Sequence, residues 1–93
     1  MENRAIEYEV LVHRRVDKFL SSLDVKTRAR VLEFLRDIRI YPEALRLYDS
    51  AKLSGFEHTF RVRLGKLRII FHVDKTNRTM IVTRVAFRER AYE

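Results

Sequence analysis

The stretch TFRVRLGKLRIIFHV, residues 59–73, decides the fold of this chain. Apolar and polar side chains alternate along both of its halves, and a period of two is typical of half-buried strands. Gly65-Lys66 separates the halves and fits a two-residue hairpin turn. We therefore expect two antiparallel strands, over residues 59–64 and 67–73.

The residues after this hairpin predict a third strand. Residues 74–78 have the composition of a turn, and residues 80–87 are apolar enough for a central strand. Regular alternation would place Arg84 on one side of this strand. The same alternation would place four residues on the other side of the strand: Ile81, Thr83, Val85 and Phe87. The C-terminal half thus predicts a three-stranded meander.

The N-terminal half predicts one strand and two helices. Residues 6–13 alternate with a period of two, and residues 14–22 have apolar side chains at helical spacing. A second helix is expected from the N-cap Asp24 to about Tyr41, just before Pro42. Its expected apolar stripe consists of Val25, Ala29, Leu32, Leu35 and Ile38, with Val31 and Phe34 beside them. Residues 42–56 predict an irregular connection with a turn of helix near residues 43–48.

This order, β-α-α-β-β-β, predicts an α+β fold. We expect the two-helix hairpin to pack on one face of a mainly antiparallel four-stranded sheet. A chain of 93 residues is long enough for one hydrophobic core and too short for two, so we expect a single domain over residues 1–93.

Composition excludes several classes of protein. The chain has no Cys, which excludes disulfides and thiol catalysis. It has no apolar run long enough for a membrane span and no secretory signal pattern, so we expect a cytoplasmic protein. The three histidines, His13, His58 and His72, lack metal-ligand spacing, and neither a Gly-rich phosphate loop nor a nucleophile motif is present. We expect neither a metal nor a cofactor.

The positive charge is concentrated in the last third of the chain. Residues 1–57 hold eleven basic and ten acidic side chains (+1), whereas residues 58–93 hold nine and three (+6). Strand alternation is expected to project one group of these cations onto the face opposite the helices: Arg61, Arg63, Arg68, Arg84 and Arg88. Like charges at this spacing repel, and a polyanion would relieve the repulsion. A solvated polar face is the alternative.

RNA is the favoured polyanion, because no DNA-recognition helix or helix-turn-helix pattern is visible. The second helix carries its own cations, Lys26, Arg28, Arg30, Arg36 and Arg39. They alternate with its apolar stripe and with acidic residues, so we expect a solvated outer face. DNA binding by that helix face remains an alternative.

Three segments resemble the RelE family of toxins, in its archaeal type. They are Lys52-Leu53-Ser54-Gly55, the run from Phe60 to Phe71 (FRVRLGKLRIIF), and Arg88-Glu89-Arg90-Ala91-Tyr92. The resemblance implies a toxin that enters the ribosomal A site and cleaves messenger RNA by attack of a ribose 2′-hydroxyl, without metal. It also implies an acidic RelB-like antitoxin that binds the toxin in a hetero-oligomer and silences it.

The resemblance also implies roles for individual residues. Arg61 and Arg63 stand where the family often has lysines or arginines that stabilise the phosphate or act as base, and Arg68 stands at its phosphate-binding arginine. Arg88 would support the leaving group, and Tyr92 would stack on a base or assist proton transfer. Apart from the resemblance, we expect RNA contacts from five cations: Arg63, Arg84, Lys52, Lys66 and Arg90. The chain departs from the family pattern because positions 61 and 63 carry no Lys, and because Phe87 stands where many relatives have His.

Proton transfer is the weak point of this hypothesis. An arginine stays protonated and is a poor base. The sequence offers Tyr92, Lys52, Lys66 and His72 as bases, and none stands out. Two rival functions therefore stay open: a ParE-like toxin that poisons DNA gyrase, and an RNA-binding module without catalysis.

Overall fold

The computed structural model describes residues 7–88. It contains five strands, two α-helices and one 3₁₀ helix. In chain order these are β1 (Glu9–Val12), α1 (Arg14–Ser21), α2 (Val25–Asp37), the 3₁₀ helix (Glu43–Leu47), β2 (Asp49–Lys52), β3 (Thr59–Leu64), β4 (Leu67–Asp74) and β5 (Thr79–Phe87). The α+β class, the helical hairpin and the C-terminal meander are confirmed.

All five strands form one sheet in the order β1-β5-β4-β3-β2. β1 pairs with β5 in parallel, and the other neighbours are antiparallel. The expectation of four strands was wrong, because β2 lies inside the segment expected to be irregular. Asp, Ala and Lys are depleted in strands, so β2, with the sequence Asp-Ser-Ala-Lys, carries little strand signal of its own. Its pairing with β3, for example Ser50 opposite Val62, makes it a strand.

Capping side chains set where the two helices begin. His13 caps α1 by accepting the Arg15 N–H on Nδ1 at 3.1 Å. Asp24 caps α2 as expected, with its Oδ2 3.3 Å from the Thr27 nitrogen, and this hydrogen bonding with Thr27 lowers the pKa of Asp24. α2 ends at Asp37, before the expected Tyr41, and the chain continues in a tighter turn in which the Ile40 N–H donates to the Asp37 carbonyl at 3.1 Å.

The helices cover one face of the sheet and build the core there. α2 contributes Val31 and Phe34, and its C-cap residue is Ile38; all three are at most 1% exposed. The expected stripe on α2 was too broad, since Val25 and Leu32 are 76% and 49% exposed. On the sheet side, Phe71 packs against Phe34, with ring centroids 6.1 Å apart. The opposite face of the sheet is left open and is called the open face below.

A β-bulge interrupts the alternation of β5. Ile70 on β4 pairs with Arg84, whereas the next residue, Phe71, pairs with Val82, so Thr83 is the extra residue. The expectation that Ile81 and Val85 share one side was therefore wrong. Val85 is buried in the core at 5% exposure, while Ile81 is 38% exposed on the open face. The bulge keeps Val82 and Val85 in the core and places Arg84 on the open face.

Hydrogen bonds hold the bulge in place. Arg15 of α1 donates from Nε to the carbonyl of Thr83 at 3.0 Å. The Thr83 hydroxyl donates to the Ile70 carbonyl across the strand pair at 3.4 Å. A bulge leaves ladder groups without their regular strand partners, and these two contacts replace part of that pairing.

Within residues 7–88, no helix is both long and apolar enough to cross a membrane.

Candidate functional site

Four arginines occupy neighbouring positions on the open face, and this group is called the arginine face: Arg61, Arg63, Arg68 and Arg84. Directly paired residues of adjacent strands share a face of the sheet. Arg63 pairs with Arg68, while Arg61 and Arg84 flank Ile70 from the two sides. The structure therefore brings together four of the five arginines that the sequence placed on this face.

The stems of these arginines lie along the sheet. The Arg61 side chain is only 11% exposed and that of Arg63 is 39% exposed. Long cationic side chains can bury their alkyl stems on a surface while the charged head faces outward. Low exposure therefore restricts the Arg61 side chain, whereas the Arg63 side chain is more accessible to a ligand.

Asp49 is the acidic side chain that the sequence did not predict at this site. It pairs with Arg63 in the β2–β3 ladder, and its carboxylate lies 3.8 Å from Arg63 Nη1 and 4.0 Å from Arg61 Nη2. Asp49 and the four arginines together carry a formal charge of +3. The residue was missed because β2 was missed, and only strand alternation against β3 could have placed it there.

Arg88 and Lys66 lie together at one end of the arginine face. The Arg88 N–H donates to the Lys66 carbonyl at 2.7 Å, directly after β5. Lys66 belongs to the β3–β4 turn, where Gly65 has φ +61°, a left-handed conformation that favours glycine. Both side chains are exposed. Arg63 and Arg68 form the arginine pair nearest to this turn. Lys66 and Arg88 therefore extend the positive surface beyond that pair.

Three further predicted residues are not part of this cluster. Lys52 pairs with Phe60 and so lies on the other face of the sheet from Asp49. Arg90 and Tyr92 lie outside the described residues. The cations of α2 stand apart as well: Arg39 binds Glu7 at 2.6 Å, and Arg28 donates to the Leu23 carbonyl at 2.9 Å.

A polar pair continues the open face beyond Ile70. Thr59 and His72 are paired across β3 and β4, and the distance from Thr59 Oγ1 to His72 Nδ1 is 3.1 Å. The Thr59 hydroxyl also lies 3.2 Å from the Glu57 carbonyl, to which it donates. On the other side His72 pairs with Ile81 of β5. The imidazole is exposed and shares the open face with the arginines.

The chemistry available here is that of cations and one imidazole. Guanidinium groups form paired hydrogen bonds to phosphate oxygens and remain protonated at all working pH values. No group of three or more His, Asp or Glu side chains within residues 7–88 is placed to hold a metal ion. The arrangement is suited to binding a phosphodiester and to stabilising extra negative charge on it.

Known proteins resemble this chain over nearly its whole length. A chain of the archaeal RelE–RelB complex from Pyrococcus horikoshii OT3 is 31% identical, with a TM-score of 0.80, and the match covers 91% of this chain and 99% of that one. A Methanocaldococcus jannaschii protein curated under the name RelE1, as an inferred toxin, is 28% identical over 88 residues, which are 95% of this chain and 98% of the relative.

A third similarity extends to bacteria. A chain of the RelBE2 toxin–antitoxin complex from Mycobacterium tuberculosis is 26% identical with a TM-score of 0.70, over 89% of this chain and 100% of that one. No protein-family model matches the chain. Identity of 31% over almost the full length, together with a TM-score of 0.80, leads to one assignment: this chain belongs to the RelE family of toxins.

Proposed function

We propose that this chain is the toxin of a type II toxin–antitoxin pair and that it cleaves messenger RNA in the ribosomal A site. The observation that carries the proposal is the arginine face. Its register puts Arg63 beside Arg68 and places Arg61 and Arg84 on either side of Ile70. Four cations on one sheet face match a substrate whose charges repeat along a backbone. Membership in a toxin family supports a role for this face in binding and cleaving RNA.

The proposed reaction is an in-line displacement at phosphorus. The ribose 2′-oxygen attacks the adjacent phosphodiester, the bond from phosphorus to the 5′-oxygen breaks, and a 2′,3′-cyclic phosphate remains. RNA alone supplies this nucleophile. Extra negative charge develops on the phosphoryl oxygens, and we assign its stabilisation to Arg61 and Arg68. A preorganised donor of this kind contributes about 3 to 4 kcal/mol.

Other residues are assigned supporting roles in the same proposal. Arg63 and Arg84 bind neighbouring phosphates, and Arg88 with Lys66 receives the strand at the turn end of the face. Tyr92 and Arg90 are assigned to base stacking and phosphate contact through the family resemblance alone. The reaction as proposed takes place in the cytoplasm, where translating ribosomes present the message.

The proposed partner is an acidic RelB-like antitoxin. The related structures from Pyrococcus horikoshii and Methanococcus jannaschii are RelE–RelB complexes. The chain carries a formal net charge of +7, and the arginine face with Asp49 contributes +3 of it. Complementary charge favours an acidic segment on that face, where it would exclude RNA.

The decisive experiment is primer extension on a translated message, with and without the purified chain and ribosomes. Wild type is expected to produce breaks only when ribosomes are present. Arg68→Ala is expected to lower the cleavage rate by about 10² to 10³-fold, the usual effect of deleting a charge-stabilising donor. Arg36→Ala is the matched control, since it removes the same charge from the exposed side of α2.

Full cleavage by Arg68→Ala would contradict the assignment. Binding of the message by wild type without any break would favour an RNA-binding module. Accumulation of gyrase cleavage complexes in a supercoiling assay would instead favour a gyrase poison. Circular dichroism of Arg68→Ala, together with Arg68→Lys as a charge-preserving variant, separates loss of function from loss of fold.

A further inference from the structure

We propose that His72 is the general base that removes the 2′-hydroxyl proton, and that Thr59 holds its imidazole in the tautomer that can do so. This proposal rests on the proposed ribonuclease function, for which the arginines supply no general base. It arises from the position of His72 beside the arginine face and from the direction of two hydrogen bonds.

His72 lies within reach of the phosphate site. On the open face of β4 its neighbour is Ile70, and Ile70 pairs with Arg61 on one side and Arg84 on the other. His72 is therefore the diagonal neighbour of Arg61, at a separation of about 7 to 8 Å that long side chains bridge. Arg84 lies beyond the bulge on the other side of Ile70. A phosphate held by these guanidinium groups would place its 2′-hydroxyl against the exposed imidazole.

The hydrogen bonds of Thr59 favour one tautomer of His72. A threonine hydroxyl has one proton, and the Glu57 carbonyl, 3.2 Å away, can only accept it. With that proton donated to the carbonyl, the Thr59 oxygen is an acceptor for His72 Nδ1, 3.1 Å away. We therefore assign the proton of the neutral ring to Nδ1 and the lone pair to Nε2. This is the arrangement in which a fixed Nδ1–H leaves the other ring nitrogen ready to take a proton.

Competing bases on the same face are less suitable. Guanidinium groups do not give up their protons. The carboxylate of Asp49 lies between Arg61 and Arg63 and is engaged by both. Lys52 lies on the other face. Within residues 7–88, His72 is the imidazole of the open face, and imidazole is the side chain that changes protonation between about pH 5 and 8.

In the proposed step, one proton is transferred to His72 while one bond to phosphorus forms and another breaks. The 2′-hydroxyl proton moves to Nε2 as the 2′-oxygen lone pair forms the new bond to phosphorus. The bond to the 5′-oxygen breaks, its electron pair stays on that oxygen, and water supplies the proton that completes the alcohol. The imidazolium returns its proton to solvent. The products are a 2′,3′-cyclic phosphate and a 5′-hydroxyl end.

The first test measures cleavage and binding separately for His72→Ala and His72→Gln on programmed ribosomes. Both are expected to lower the single-turnover rate by about 10² to 10⁴-fold, the usual contribution of a general base, with unchanged affinity for a 2′-deoxy message that cannot react. His58→Asn is the matched control. His58 has φ +58°, a conformation that Asn tolerates.

The pH dependence gives a readout that a structural role would not change. The wild-type rate is expected to rise with pH while imidazole loses its proton, and His72→Gln should lack this rise. Around His72, Arg61 and Arg84 keep their charge, and hydrogen bonds from Asn77 lower the pKa of Asp74, the next residue of β4 on this face. His58→Asn removes a second imidazole and serves as the control for the pH profile.

The second test does not depend on ribosomes. Nitrogen chemical shifts of His72 in the free chain are expected to show Nδ1–H, and Thr59→Val should abolish this preference and slow cleavage, whereas Thr59→Ser should keep both. Full cleavage by His72→Ala, or an Nε2–H tautomer in wild type, would overturn the inference and leave the arginine mechanism standing. A wild-type chain that cleaves no message would overturn the proposed function and, with it, the role of His72.

Discussion

At the scale of single residues, Asp49 tunes the charge of the arginine face. Its carboxylate lies 4.0 Å from Arg61 and 3.8 Å from Arg63, where it would compete with a bound phosphate. In water a unit charge 4 Å away is worth about 1 kcal/mol, or about fivefold in affinity. We expect Asp49→Asn to bind a short single-stranded RNA about fivefold more tightly at low salt, as measured by fluorescence anisotropy. Equal affinity of the two proteins would show that Asp49 does not shield the face.

Tyr48 gives a prediction about alkaline stability. Its hydroxyl donates to Asp37 at 2.6 Å, and partial burial, followed by this hydrogen bond, raises the pKa of Tyr48 well above the ordinary 10.0. A group whose pKa is raised by folding stabilises the fold at pH values below its unfolded-state pKa. This contribution is lost as the pH rises from about 10 toward the folded-state pKa.

The measurement is urea denaturation of wild type and Tyr48→Phe at several pH values. At pH 8 the variant should be less stable by about 0.5 to 1.5 kcal/mol, the usual net value of one hydrogen bond. Above pH 10 the stability of wild type should fall toward that of the variant. A constant difference across this range would mean that the hydroxyl does not titrate as described.

The sequence predicted the arginines at this scale but not the residues that support them. The positions of Arg61, Arg63 and Arg68 follow from the period of two along 59–64 and 67–73, which needs no tertiary information. The Asp49 contact depends on a strand that forms only by pairing. The tautomer proposed for His72 depends on a hydroxyl thirteen residues away. Such contacts are set by the register between strands and cannot be read from one strand alone.

At the scale of elements, the bulge in β5 decides which side chains face the core. Val82 is 1% exposed and Ile81 is 38% exposed. We expect Val82→Lys to cost several kcal/mol or prevent folding, because it buries an unpaired charge. Ile81→Lys should change the free energy of unfolding by no more than about 0.5 kcal/mol, as exposed substitutions do. Thermal denaturation of both variants checks this, and the opposite order would place the strand in the other register.

Helices were easier to predict than strands for a physical reason. Capping and apolar spacing act within a few residues, so the start of α2 at Asp24 was predicted from local sequence. β2 consists of Asp-Ser-Ala-Lys, which has little strand preference, and the bulge at Thr83 arises from a mismatch between two strands. The bulge matters for the site, because regular alternation could not put Val82 and Val85 in the core and Arg84 on the open face.

At the scale of the whole molecule, RNA binding should depend strongly on salt. Four phosphate contacts to single-stranded RNA give a slope of about −3 in a plot of log K against log salt concentration. We expect Arg63→Ala to reduce the magnitude of this slope by about 0.7 and Arg36→Ala, on the outer side of α2, to leave it unchanged. Anisotropy titrations from low to physiological salt provide the slopes. Equal slopes for the two variants would mean that the arginine face is not the RNA site.

The parallel pairing of β1 with β5 ties the two ends of the described chain together. Val10 lies opposite Met80, seventy residues later in the sequence. During synthesis β1 emerges first and has no partner until residues 79–87 have been made and have left the ribosome. An incomplete nascent chain therefore lacks both the finished sheet and Arg84. For a toxin that acts on ribosomes as proposed, activity would begin only after the ribosome that made it has finished translating this strand.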